Sequence, residues 1–496
     1  MRKRRPQKDY VSVKRSRARL AKENIVSDKL EASQWPQLRA ITEDSTPATD
    51  RTTQPRDRSP GLTLKRGHAF SYLALFVFTA LLYARPGEFY PSAFTASITL
   101  IVGLVTLGLY VPTQFTLEGS ISAPLFEVKL LMLFVLTTLL SIPLAIDPAQ
   151  AWTEFSGAFI RAVIIFVVMV NVVRTESRLK GLIFLAIVAG VLLSIGAIND
   201  YRLDLMTVEG YRAGGRGTGI FGNSNDMALF LATTIPVTIT WALETRNPIV
   251  KTWLAVAAML MTAAVVLTYS RGAFLGSMVA LTFLTLRVGS RHKATILIVG
   301  FLVVIALLVL APGGYGRRLA SIFIPSLDPV GSADARRGEL FRSLYVALRH
   351  PLLGIGMGNY GPQMSYHGLV THNSYTQVAS EIGVAALVSY VAFIVSPLKK
   401  LGQIGRETLG VKLDSKFYYL SIGLQASLLA YLVCSFFASV AYLWYVYYLV
   451  AYAVCLRRIY ESETGRKVVV EKRKREKTPS PAQPSIVDGP RGAVTV

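Results

Sequence analysis

His372 stands directly before Asn373 and Ser374, two residues able to cap a helix, and a histidine there can titrate near neutrality and take a proton from a hydroxyl. A histidine that only hydrogen-bonds its own loop would look the same in sequence. His350 and His367 are weaker candidates, the first because it adjoins Pro351 at an expected helix end. Arg212 and Arg216 lie in a glycine-rich stretch between Tyr211 and Gly219 that leads into Gly222-Asn223-Ser224-Asn225. Glycines let the backbone approach a ligand, Asn223 or Ser224 can start a helix whose N-terminus favours an anion, and guanidinium forks match phosphate oxygens. Arg271 occupies Tyr269-Ser270-Arg271-Gly272, a tight break between two apolar runs where a charge is expensive unless paired. These residue types suit proton abstraction beside a bound phosphate. Arginines that touch only lipid headgroups would satisfy the same composition.

The polar interruption from Pro312 to Tyr375 organises the rest. Ordering a loop of about sixty residues costs entropy, and chains keep such loops for binding or chemistry. Within it, Arg336 to Arg349 reads as an amphipathic helix with Leu340, Phe341, Leu344, Tyr345 and Leu348 on one side, suited to a membrane surface or to roofing a cavity. Gly354, Gly356 and Gly358 follow no strand and open no βαβ unit, which argues against dinucleotide binding.

The elements that must position these residues are membrane helices. A 496-residue chain with 52% hydrophobic residues and a mean hydropathy of +0.43 is too apolar for an ordinary soluble domain. The net charge of +23 sits mainly in terminal tails and short loops, which points to membrane orientation and anionic lipid, not to nucleic acid. Apolar runs are predicted at His68–Ala84, Pro91–Val111, Leu125–Ile146, Phe155–Val173, Leu179–Asn199, Ser224–Leu243, Ile249–Ser270, Gly272–Val288, Ala294–Ala311, Asn373–Leu398, Phe417–Ser439 and Val440–Leu456. That makes an all-α polytopic protein of about 12 transmembrane helices. The chain divides into a basic, disordered cytoplasmic tail over 1–67, a membrane domain over 68–456 with an outer loop at 312–372, and a second basic, disordered cytoplasmic tail over 457–496. With both termini cytoplasmic, lysine is confined to inner connections, and the outer segments, including Arg85 to Tyr90, keep only arginines. Cys434 and Cys455 are expected to pack as small apolar side chains. No Walker A loop, HExxH or acidic pair with metal spacing is present.

The order of Gly222-Asn223-Ser224-Asn225, Tyr269-Ser270-Arg271-Gly272, Arg337, His350-Pro351-Leu352-Leu353-Gly354 with Gly356, Gly358, Asn359 and Tyr360, and His372-Asn373-Ser374-Tyr375 with Glu381-Ile382-Gly383 resembles the O-antigen ligase and polymerase superfamily. The resemblance spans roughly Arg212 to Val384. It implies a GT-C-like glycosyltransferase of the bacterial inner membrane, with short helices in its long periplasmic loop. Such an enzyme takes a glycan from an undecaprenyl-pyrophosphate carrier without nucleotide sugar, metal or other cofactor. By that likeness His372 is the base, and Arg212, Arg216, Arg271 and Arg337 meet the donor pyrophosphate; the choice between Arg212 and Arg216 stays open. The acceptor hydroxyl would belong to a glycan, lipid A core or protein. A flippase or transporter of lipid-linked glycans is the rival reading, although the charged residues collect on one side and not at the midplane where alternating access places its site.

Overall fold

In a computed structural model the protein is described at residues 67–205, 212–214, 221, 223–288, 332–365, 368–409 and 415–468. These residues form helices and connections, with no extended sheet among them. In chain order the helices are α1 (Ala69–Ala84), α2 (Pro86–Phe89), α3 (Ala93–Glu118), α4 (Phe126–Ser141), α5 (Pro148–Glu154), α6 (Ile160–Val172), α7 (Glu176–Arg202), α8 (Ser224–Glu244), α9 (Pro248–Leu267) and α10 (Arg271–Arg287). Further along the chain come α11 (Ser332–Arg349), α12 (Tyr360–Met364), α13 (Ser374–Glu381), α14 (Val384–Glu407), α15 (Ser415–Cys434) and α16 (Trp444–Thr464). A π turn over Phe155–Phe159, kinked at Gly157, joins α5 to α6.

Among the described residues nine helical stretches are long and apolar enough to cross a bilayer, which makes this a multi-pass, all-α membrane protein. Every predicted run except Ala294–Ala311, which lies outside the described residues, falls on a helix. Two runs need correction. Asn373–Leu398 is not one helix: it breaks at Ile382-Gly383, where Gly383 has φ 100° and a Cβ would lie 2.3 Å from the Leu352 carbonyl oxygen. The final helix passes the expected boundary at Leu456 and continues to Thr464. Arg457 and Arg458, assigned to a solvated tail, are buried, and Arg457 lies 3.1 Å from the wholly buried Glu127, which Lys400 also meets at 2.7 Å.

α16 is the axis of the bundle. Every residue from Trp444 to Tyr460 is buried, as a helix must be when other helices enclose it on all sides. Its tyrosine hydroxyls would be costly there without partners. Tyr447 donates to the Ala441 carbonyl at 2.9 Å, Tyr448 meets the Thr79 hydroxyl at 3.1 Å, and Tyr460 donates to Glu407 at 2.8 Å. Cys434 and Cys455 are buried free thiols, packed as expected.

Alternation of the spans sorts the polar groups onto two ends. One end carries lysine bridges: Lys180 to Glu244 at 2.7 Å, and Lys416 to Glu176 at 2.7 Å and to Glu463 at 3.0 Å. The other carries the α1–α2, α7–α8, α9–α10 and α15–α16 connections, the starts of α8, α10 and α14, and the segment from α11 to α13. The described candidate site residues, Arg212, Arg271, Arg337 and His372, belong to this second end.

Candidate active site

Arg212 is fixed against the corner between α9 and α10. The Ala213 backbone N–H donates to the Leu267 carbonyl at 2.9 Å, Arg212 Nε to the Thr268 carbonyl at 2.9 Å, and Arg212 Nη2 to Asn225 Oδ1 at 2.8 Å. The side chain is buried, so its orientation comes from the protein and not from headgroups. Arg216 lies outside the described residues.

Arg271 begins the same corner. Tyr269 takes a left-handed φ of 52°, Ser270 caps α10 through its hydroxyl, and Arg271 is the first helical residue. A cation there opposes the helix dipole, whose N-terminal end is already positive. The dipole and the guanidinium therefore favour an anion at one place. Gly272 is required for the fit: a Cβ would lie 2.8 Å from the Phe437 Cβ.

His372 repeats this geometry. Its φ is 51°, Asn373 caps α13 by accepting from the Tyr375 and Thr376 N–H groups, and Ser374 is the first helical residue. A non-glycine residue in the left-handed region is held there by its surroundings, and such strain concentrates at functional sites. Here the surroundings are the α15–α16 connection. The Thr371 hydroxyl meets Ser439 at 2.8 Å, the Ser374 hydroxyl donates to the Ala438 carbonyl at 2.7 Å, and the Val440 N–H donates to Ser374 at 3.0 Å. Since Phe437 packs on Gly272, one short connection, residues 435–440, touches both the Arg271 and the His372 segments. While the Asn373 Oδ1 caps the helix, its buried Nδ2 has no hydrogen-bond partner among the described residues.

The charges around His372 come from α11. Burial, then the Arg336 guanidinium, pushes the imidazole down to about 4, with the Glu339 carboxylate opposing. Glu339 is itself fixed, accepting from the Tyr360 hydroxyl at 2.7 Å and the Ser365 hydroxyl at 3.0 Å. Arg337, one residue from Arg336, is exposed and lies over the Phe341 ring, its guanidinium carbon 5.8 Å from the centroid. Arg336 and Glu339 were missed from sequence although their spacing puts them on one helix face. The apolar face of α11 points away from the protein: Phe341, Tyr345 and Leu348 are exposed, while Glu339, Ser343 and Val346 pack inward. His350 is exposed, and His367 lies outside the described residues.

The Gly354 to Tyr360 turn is structural. Asn359 accepts from the Asp147 N–H at 2.7 Å and donates to the Asp147 carbonyl at 3.1 Å, tying the turn to the connection before α5. Gly358, with φ 72°, leaves room for Glu154, which a Cβ would approach to 2.4 Å. Glu381 closes the turn, accepting from the Tyr360 N–H at 3.3 Å and the Tyr442 hydroxyl at 2.8 Å. Burial raises its carboxyl to about 7, against the hydrogen bonds that favour the charged form. Among the described residues no three His, Cys, Asp or Glu side chains are grouped to hold a metal ion.

The corner with Arg271, the α11 charges, His372 and the start of α14 all fall within one matched stretch. Residues 256–391 match the family model described as O-antigen ligase. Over this stretch the chain is similar to O-antigen ligases. The likeness read from the motifs thus holds over the segment that carries Arg271, Arg337 and His372; Arg212 and Arg216 precede it. No curated protein matches the chain.

Proposed function

We propose that this protein transfers a glycan from an undecaprenyl-pyrophosphate carrier to an acceptor hydroxyl, as a polysaccharide ligase or polymerase. His372 takes the acceptor proton, and the freed oxygen pair attacks the anomeric carbon from the face opposite the leaving group. The bond from that carbon to the phosphate oxygen breaks with inversion, and the lipid pyrophosphate departs with the bonding electrons. Arg271 at the α10 N-terminus and Arg212 stabilise the charge as it develops. The observation that carries this reading is the joining of the Arg271 and His372 segments by residues 435–440 at the lysine-free end of the bundle.

The lysine bridges at the opposite end support a cytoplasmic face there, and with it the reading that both tails are cytoplasmic and the site faces the periplasm of an inner membrane. Purified protein in lipid, given an undecaprenyl-pyrophosphate oligosaccharide and candidate acceptors in the presence of chelator, tests the reading. Release of the lipid pyrophosphate with a ladder of products indicates a polymerase, and with one adduct a ligase. Movement of intact donor between leaflets without release contradicts transfer and supports the flippase.

A further inference from the structure

A groove of about 570 Å³ runs between α1–α2 and the second half of α7. Its walls are mostly apolar, with Val188, Leu192 and Ile195 on α7 facing Ala80 and Tyr83 on α1, and Asn199 and Arg85 supply polar groups. Leu192 is 64% exposed and Ile195 50%, so the groove opens sideways to the lipid. At the arginine-bearing end it closes on Arg85, Gly214 and Phe221. Arg85 has a left-handed φ of 50°, pairs with Glu88, and stands with its guanidinium carbon 5.8 Å from the Phe221 ring centroid. Gly214 is two residues from Arg212 along the chain. An arginine thus stands where a lipid-facing apolar channel meets the segment that holds Arg212.

We propose that this groove takes the isoprenoid chain of an anionic polyprenyl pyrophosphate, and that Arg85 receives its phosphate before Arg212 and Arg271 engage it. The inference rests on the lipid-linked donor proposed above, and it assigns a binding role to a residue outside the transfer chemistry. Charge complementarity favours this occupant over a neutral lipid: a long apolar tail fits the walls, and a phosphate at the mouth competes with Glu88 for Arg85. The first isoprene units fill the groove while the rest of the chain continues into the bilayer.

Gly196 supplies the test. It lines the groove, and a Cβ built there meets no atom within 4 Å, so a large side chain enters the groove and not the packed core. Binding of sugar-free undecaprenyl pyrophosphate to full-length protein in nanodiscs is measured for wild type, Gly196→Trp and Arg85→Gln, with inorganic pyrophosphate and phosphatidylglycerol as competitors. Gly196→Trp is expected to weaken polyprenyl pyrophosphate binding about tenfold while leaving inorganic pyrophosphate competition unchanged, and Arg85→Gln to weaken both. Leu192→Trp, on the lipid-facing side of the wall, replaces Gly196→Trp if that variant does not fold. Full binding by the blocked variants overturns the proposal, as does displacement by phosphatidylglycerol at equal affinity. Because no transfer is measured, failure of the glycosyl-transfer reading and failure of the groove give separate results.

Discussion

Tyr269 and His372 share one backbone conformation, φ 52° and 51°, and each is followed at once by a residue that caps the next helix. In the first case the helix opens with Arg271; in the second the left-handed residue is itself the candidate base. The conformation turns the chain sharply at a helix entrance and costs a non-glycine residue about 1–2 kcal/mol. That cost separates the role of the side chain from that of the fold. His372→Gly is expected to lose transfer and yet melt no lower than wild type, because glycine adopts this φ freely. A melting temperature several degrees lower, read by tryptophan fluorescence in detergent, would show that the imidazole is mainly a packing group.

The field around His372 fixes the sign of a pH effect. Only the neutral imidazole accepts a proton, and the ring stays neutral down to about 4. Transfer should therefore fall on the acid side near that value in kcat/KM, well below an ordinary histidine limb. Arg336→Gln moves the limb up, whereas Glu339→Gln moves it down. A bound pyrophosphate raises the imidazole, so the acid limb of kcat is expected above that of kcat/KM. Identical limbs, or no response to the Arg336 substitution, would contradict the arrangement.

Asn373 combines a cap with an unpartnered donor. Asn373→Asp keeps the oxygen that receives the Tyr375 and Thr376 N–H groups and removes the Nδ2 hydrogens. If Nδ2 donates to a substrate oxygen in the transition state, kcat falls roughly 10²-fold with thermal stability unchanged. Unchanged kcat confines Asn373 to capping.

The two arginines on either side of the matched boundary should differ from Arg337. Arg212→Lys loses the fork that spans Thr268 and Asn225 and is expected to raise the donor KM about tenfold. Arg337→Ala, which removes an exposed group stacked on Phe341, should leave donor KM within about twofold of wild type, since surface groups of this kind contribute little. A large donor defect in Arg337→Ala alone would exchange the two roles.

Hydropathy made most of the spans legible, because lipid leaves a chain few options beyond apolar helices. It undervalued α16: tyrosines and Arg457 lower its apolar character, yet hydroxyl partners and Glu127 let it be buried along its length from Trp444 to Tyr460. The sequence shows that α11 is amphipathic but not which face meets the protein, so the inward placement of Glu339 is visible only in the structure. The break at Gly383 was hidden for a similar reason, since its cause is the approach of Leu352 from a distant part of the chain. His372, Arg271 and Arg212 stand out in the sequence as candidates because each interrupts a local rule, a charge or a titratable group at a helix entrance, and their roles belong to the proposal.

The central claim is that His372 acts on the acceptor and not on the donor. The most direct measurement compares wild type with His372→Ala in one lipid preparation, following both retention of the undecaprenyl-pyrophosphate glycan and release of the lipid pyrophosphate. The account predicts that the variant retains donor with wild-type affinity while release falls by at least about 10²-fold. Near-normal release by His372→Ala, or loss of donor retention equal to the loss of release, would contradict it.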